Sequence, residues 1–160
     1  MIRIVVFALL ALIPASGALA DNSKLILGVW KLMKHDTEFQ DGSPPRKLFG
    51  QNPPGYIIFT PEGRMMAVLE AEGRQPAKTD EDRANLLRSV AAYSGIYRLE
   101  QDKWITKVDV AWTPLIHNTE QLRYYKLDGD RLEVITPWAP DPRLPGQPVT
   151  RTILLWQRVK

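Results

Sequence analysis

The stretch Gln121-Leu122-Arg123-Tyr124-Tyr125-Lys126-Leu127-Asp128-Gly129-Asp130-Arg131-Leu132 decides the fold class. Two β-type runs, Gln121–Leu127 and Arg131–Thr136, flank the turn signal Asp128-Gly129-Asp130, which reads as a hairpin. The same pattern recurs toward both ends of the chain. Tyr56–Thr60 and Met65–Glu70 surround Pro61-Glu62-Gly63-Arg64, where glycine supplies the unusual backbone angle of a tight turn. Tyr93–Leu99 and Trp104–Trp112 are joined through Gln101-Asp102-Lys103. With Gly28–Phe39 at the start and Val149–Val159 at the end, the chain holds eight strands, mostly hairpin-linked, in an up-and-down meander. A single helical turn, Asn22–Leu27, precedes the first strand. The long connections are two proline-rich loops, Gln40–Gly55 and Pro137–Pro148.

One helix interrupts the series. Thr79 before Asp80, Glu81 and Asp82 is a capping signature: the hydroxyl accepts an orphan backbone N–H and the acids oppose the positive helix end. Ala84, Leu87 and Ala91, with Leu86 and Val90, continue an apolar stripe at helical spacing. The pattern predicts a helix over Asp80–Ala92, placed to plug or lid one open end.

An antiparallel meander must hide its two borders, because unpaired strand edges invite aggregation. Closing the sheet into a barrel removes both, and about eight strands leave an interior just wide enough for side chains or one small ligand. The expected fold is an all-β, closed antiparallel up-and-down barrel with one short helix. A β-sandwich is the competing solution.

Composition narrows the function. Met1–Ala20 carries Arg3, the apolar run Ile4–Pro14 and the small-residue ending Ala18-Leu19-Ala20, the order of a secretory signal. The expected organisation is a leader over residues 1–20 and one barrel domain over 21–160, in a periplasm or outside the cell. The apolar run is well short of the roughly 20 residues needed to span a bilayer, so no stable membrane insertion is expected. The 21 basic side chains exceed the 18 acidic ones by three, and Arg3 lies in the leader. That small surplus, without a dense Lys/Arg block, points to no nucleic-acid partner. With no cysteine, the chain can form no disulfide and offers no thiol nucleophile or thiolate metal site. The two histidines, His35 and His117, are far apart, so no metal site is expected. His35, next to Asp36 near the end of the first strand, reads as an exposed strand-end histidine, and His117 falls in the loop Thr113–Thr119. There is no G-x-S-x-G turn, phosphate-cradling glycine loop or calcium loop, so no catalytic residue and no cofactor is assigned.

The first strand opens Gly28-Val29-Trp30-Lys31-Leu32 and the last ends Leu155-Trp156-Gln157-Arg158-Val159. Gly-x-Trp at the opening, with a basic residue late in the closing strand, is similar to the lipocalin and wider calycin pattern. The closer resemblance is to the bacterial and fungal lipocalin-like domain family of small barrels. It also rests on Gly55-Tyr56-Ile57-Ile58-Phe59-Thr60-Pro61-Glu62-Gly63, Tyr93-Ser94-Gly95-Ile96-Tyr97 and the Gln121–Leu132 stretch, in order over nearly all of Leu25–Val159. The resemblance implies a binding barrel in which Trp30 sits at the closed end with Arg158 packed across it, a cation–π closure. Family members often carry histidine before the valine of the middle strand, where this chain has Thr106-Lys107-Val108-Asp109. Chemistry that depends on those histidines is therefore absent.

Period-two alternation places Trp104, Thr106, Val108, Val110 and Trp112 on one face, with Ile105, Lys107, Asp109 and Ala111 on the other. The next strand groups Gln121, Arg123, Tyr125 and Leu127. Asp109, Arg123 and Tyr125 are either inward polar contacts for a ligand in a greasy cavity or an exposed ion pair with a surface tyrosine. Tyr56, Phe59, Met66 and Tyr97, with Tyr93 and Met65, are candidates for the cavity wall, core packing being the alternative. The leading expectation is non-covalent binding of a small, mostly apolar molecule. The alternatives are a protein partner, such as a secreted hydrolase inhibited through the proline-rich loops, or a cyclase or isomerase. An enzyme would need an ionisable group buried in the cavity, with Asp109 or Arg123 the candidates.

Overall fold

In the computed structural model, which describes residues 23–160, the meander closes on itself. A helical turn at residues 23–25 leads into β1 (Gly28–Phe39), followed by β2 (Gly55–Phe59), β3 (Arg64–Glu70), α1 (Asp80–Arg88), β4 (Val90–Glu100) and β5 (Lys103–Ala111). A short 3-10 turn, Pro114–Ile116, precedes β6 (Glu120–Asp128) and β7 (Arg131–Ile135), then the two-residue β8 (Ala139–Pro140) and β9 (Val149–Arg158). Neighbours pair antiparallel in the order β1-β2-β3-β4-β5-β6-β7-β9, and β9 returns to β1 from Trp30↔Arg158 to Phe39↔Thr150. The result is an eight-strand barrel, with β8 attached to β9 as an extra strand.

Each strand sends alternate residues inward. On β2 these are Ile57 and Phe59, on β3 Met65, Ala67 and Leu69, and on β7 Leu132 and Val134, all buried. At the β2–β3 turn, Gly63 has φ +81 and donates to the Thr60 carbonyl, so the turn has the glycine geometry expected of it.

Two bulges reset the alternation. In β1, Leu32 pairs with Trp156 and Lys34 with Leu155, leaving Met33 as an extra, exposed residue. Trp30 and Leu32 face inward before the bulge, and His35 and Thr37 after it. In β5, Gly95 of β4 pairs with Val108 and Ser94 with Val110, so Asp109 is the extra residue. Val108 is therefore buried and Val110 exposed, whereas uninterrupted alternation groups them on one face. The strands approach closely here: a Cβ on Gly95 would lie 2.1 Å from the Lys107 carbonyl oxygen.

The helix is shorter than the sequence predicts. Its N-terminus is as expected, a capping box in which Asp82 N–H donates to Thr79 Oγ1 and Thr79 N–H to the Asp82 carboxylate. At the other end it stops at Arg88, because Val90 and Ala91 pair with Glu70 and Leu69 of β3. Ladder pairing takes those two residues from the apolar stripe. No residue of α1 is buried, so it borders the barrel opening and does not plug it.

Candidate functional site

One end of the barrel is packed solid. The Arg158 guanidinium lies 4.0 Å from the centre of the fully buried Trp30 ring and donates to the Leu27 carbonyl at 2.6 Å and to the Leu25 carbonyl. Trp30 Nε1 donates to the Ile26 carbonyl at 2.9 Å, and Asp130 pairs with Arg158 at 3.2 Å. Cation–π attraction and charge-assisted hydrogen bonds thus join the first strand, the last strand and the segment before the barrel. Above this closure lies an aromatic layer. Phe59 meets Tyr97 edge-on at 5.1 Å and Trp104 at 5.2 Å, and Trp104 meets Tyr125 at 5.7 Å.

Beyond that layer the barrel is hollow. A cavity of about 650 Å³ opens past α1 and the 3-10 turn. Ile57, Ala67, Tyr93, Trp104, Leu154 and Trp156 line its deeper part, and Leu87, Leu115 and Ile116 are among its rim residues. The size and the preponderance of apolar lining with a few polar groups match small-molecule sites.

The main polar groups inside are Arg123, Gln121 and His35. Arg123 reaches the cavity because β6 carries no bulge, so it keeps the face of Tyr125. Its guanidinium sits 5.8 Å from the Tyr93 ring centre and donates to the Leu122 carbonyl at 2.6 Å and to Gln121 Oε1 at 3.4 Å. His35 is not the exposed residue its sequence position suggests. It is 4% exposed and stacks on Phe49 at 4.3 Å with planes 20° apart. Burial, joined by the Arg143 charge, pushes its pKa down to about 4, so the imidazole is neutral at pH 7. The bulge at Met33 turned it inward.

The two proline-rich loops meet at this mouth. Phe49 comes from the first, and Arg143 of the second lies 5.6 Å from the Phe49 ring centre while gripping buried Asp141 through two hydrogen bonds of 2.9 and 2.8 Å. Burial alone would raise the Asp141 carboxyl, but the Arg143 bonds and charge outweigh it and hold it below the usual range.

The other sequence candidates divide into two groups. Phe59, Tyr97 and Tyr125 point inward but belong to the packed layer beneath the cavity. Tyr56, Met66 and Asp109 lie on the outside. Tyr56 and Met66 are about half exposed, because Ile57 and Phe59 take the inward positions of β2 and Met65 and Ala67 those of β3. Asp109 sits on the β5 bulge and forms a two-pronged pair with Arg64 at 3.0 and 2.7 Å, which holds its carboxyl below the usual range. It cannot serve as the buried acid of a cavity enzyme. His35, Trp104 and Trp156 are among the cavity residues that sequence reasoning missed, as are Ile57, Ala67 and Leu154.

Among the described residues no cluster of acidic and histidine side chains has metal-site geometry, and no helix is long and apolar enough to cross a membrane. No curated protein matches the chain. A family model for the lipocalin-like domain matches residues 27–159, from the residue before β1 to the one after β9. Together with the closed barrel and the Trp30–Arg158 closure, that match shows that the chain belongs to the lipocalin-like domain family.

Proposed function

We propose that the protein is an exported barrel that holds a small, mostly apolar molecule non-covalently in the cavity above Trp104 and Trp156. A lipocalin-like barrel suits ligand binding in general, and the observation that supports this narrower reading is the lining of the 650 Å³ hollow. Aliphatic and indole surfaces there gain from displacing water, at about 25 cal/mol per Å² of apolar area removed. The few polar groups serve to orient a guest. The reading of export rests on Met1–Ala20, a segment that lies outside the described residues. N-terminal sequencing of the mature protein from a periplasmic or secreted fraction tests it, the expected first residue being Asp21.

Three of the five tryptophans, Trp104, Trp112 and Trp156, line the cavity, so a bound guest changes the emission. Titration with fatty acids, terpenoids, aromatics and pigments should give saturable changes with at least one class. Ala67→Phe, which fills the cavity from β3, should abolish them. A folded protein that responds to none, and shows no co-purifying molecule by native mass spectrometry, refutes the carrier reading.

A further inference from the structure

The charges of the cavity do not balance. Two carboxylates stand at its wall, Glu120 and Asp141, and both are engaged elsewhere. Glu120 is held by Arg98 at 2.7 and 3.2 Å, and Asp141 by Arg143. Arg123 has no carboxylate partner among the described residues. Of the five N–H donors that a guanidinium carries, its hydrogen bonds engage one with the adjacent Leu122 carbonyl and one, at 3.4 Å, with the neutral Gln121 side chain. At the rim, the Arg88 guanidinium hydrogen-bonds the neutral side chain of Asn85 at 2.8 Å and has no carboxylate partner among the described residues. The mouth therefore has a positive surplus, with one fixed cation inside a largely apolar hollow.

A cation partly withdrawn from water is costly unless an anion meets it, and a planar guanidinium favours a two-oxygen partner. Attraction from Arg88 would favour the approach of such a guest. We infer that the ligand is an apolar molecule bearing one carboxylate, which Arg123 holds while the apolar body lies against Trp104, Trp156 and Ile57. The inference rests on the carrier reading and names the class of its ligand.

The test separates the two. The neutral dye N-phenyl-naphthylamine, whose emission rises in apolar sites, serves as reporter, and dodecanoate and dodecanol compete with it. Wild-type protein should bind the dye and release it to dodecanoate at a concentration about tenfold or more below that needed of dodecanol. In Arg123→Met the preference for the acid over the alcohol, measured as the ratio of their competing concentrations within that variant, should vanish, while Arg123→Lys keeps part of it. Equal competition by acid and alcohol in the wild type, or a preference that survives Arg123→Met, overturns the carboxylate assignment and leaves the carrier reading standing. Failure of the dye and both competitors to bind overturns both. The wild-type comparison needs no substitution, so it decides the matter even if Arg123→Met fails to fold.

Discussion

Acidification should destabilise this barrel through His35, and the size of the effect follows from its surroundings. The imidazole is stacked on Phe49, its Nδ1 has no hydrogen-bond partner among the described residues, and protonation would place a second cation near Arg143 against the weaker pull of Asp36 and Asp141. Its pKa is about 4 in the folded protein against 6.5 ordinarily. Between those values the unfolded chain binds more protons, so stability falls as pH drops through that window and is fully present only above it. From pH 7 to pH 5 the loss is about 2 kcal/mol, growing to about 3 kcal/mol near pH 4. Carboxyls held low by arginine partners, such as Asp109, Glu120 and Asp141, lose their contributions at lower pH, as they protonate. Urea unfolding followed by tryptophan emission at pH 7, 6 and 5 measures the slope. His35→Leu should flatten it and should lie within about 1 kcal/mol of wild type at pH 7, since the imidazole gives up no hydrogen bond from Nδ1. Parallel pH profiles for the two proteins, or a wild type that is flat from pH 7 to pH 5, refute the argument.

Arg158→Met should cost about 2–4 kcal/mol in urea unfolding, because it removes a cation–π contact and charge-assisted bonds to two carbonyls. Its affinity for dye or ligand should stay within twofold, since the lesion is at the packed end. Gly95→Ala drives a methyl into the Lys107 carbonyl and should destabilise by about 3 kcal/mol or more, read as a fall in the thermal midpoint. Thr79→Ala should weaken α1 by about 1 kcal/mol, seen as faster amide exchange over Asp80–Arg88. The global unfolding midpoint should barely move, because no residue of that helix is buried.

The strands were legible from alternation and turn residues, and the N-terminus of α1 from Thr79 and the acids after it. The facing of side chains was legible only where alternation runs unbroken. Arg123 and Tyr125 share β6, which has no bulge, and both point inward. The extra residues Met33 and Asp109 carry no signature of their own, so His35 was missed and Val110 was grouped with buried Val108. Tyr56 and Met66 are a different case. Period two alone forbids Tyr56 from sharing a face with Phe59, or Met66 with Met65, so the outward placement of both was legible in the sequence. The extent of the hollow was not legible, because it depends on how eight strands curve around side chains such as Trp104 and Trp156.

The seam between β1 and β9 joins the first strand of the barrel to be made with the last. Its contacts link residues as far apart as Glu38 and Arg151, 113 positions, or Leu27 and Arg158, 131 positions. Such pairing raises contact order and slows folding. A nascent chain still waiting for β9 has a sheet with two bare borders and no closure over Trp30. Under the proposed export, which would thread the polypeptide unfolded through a channel, that late dependence is a safeguard: the barrel cannot lock until its last strand has arrived.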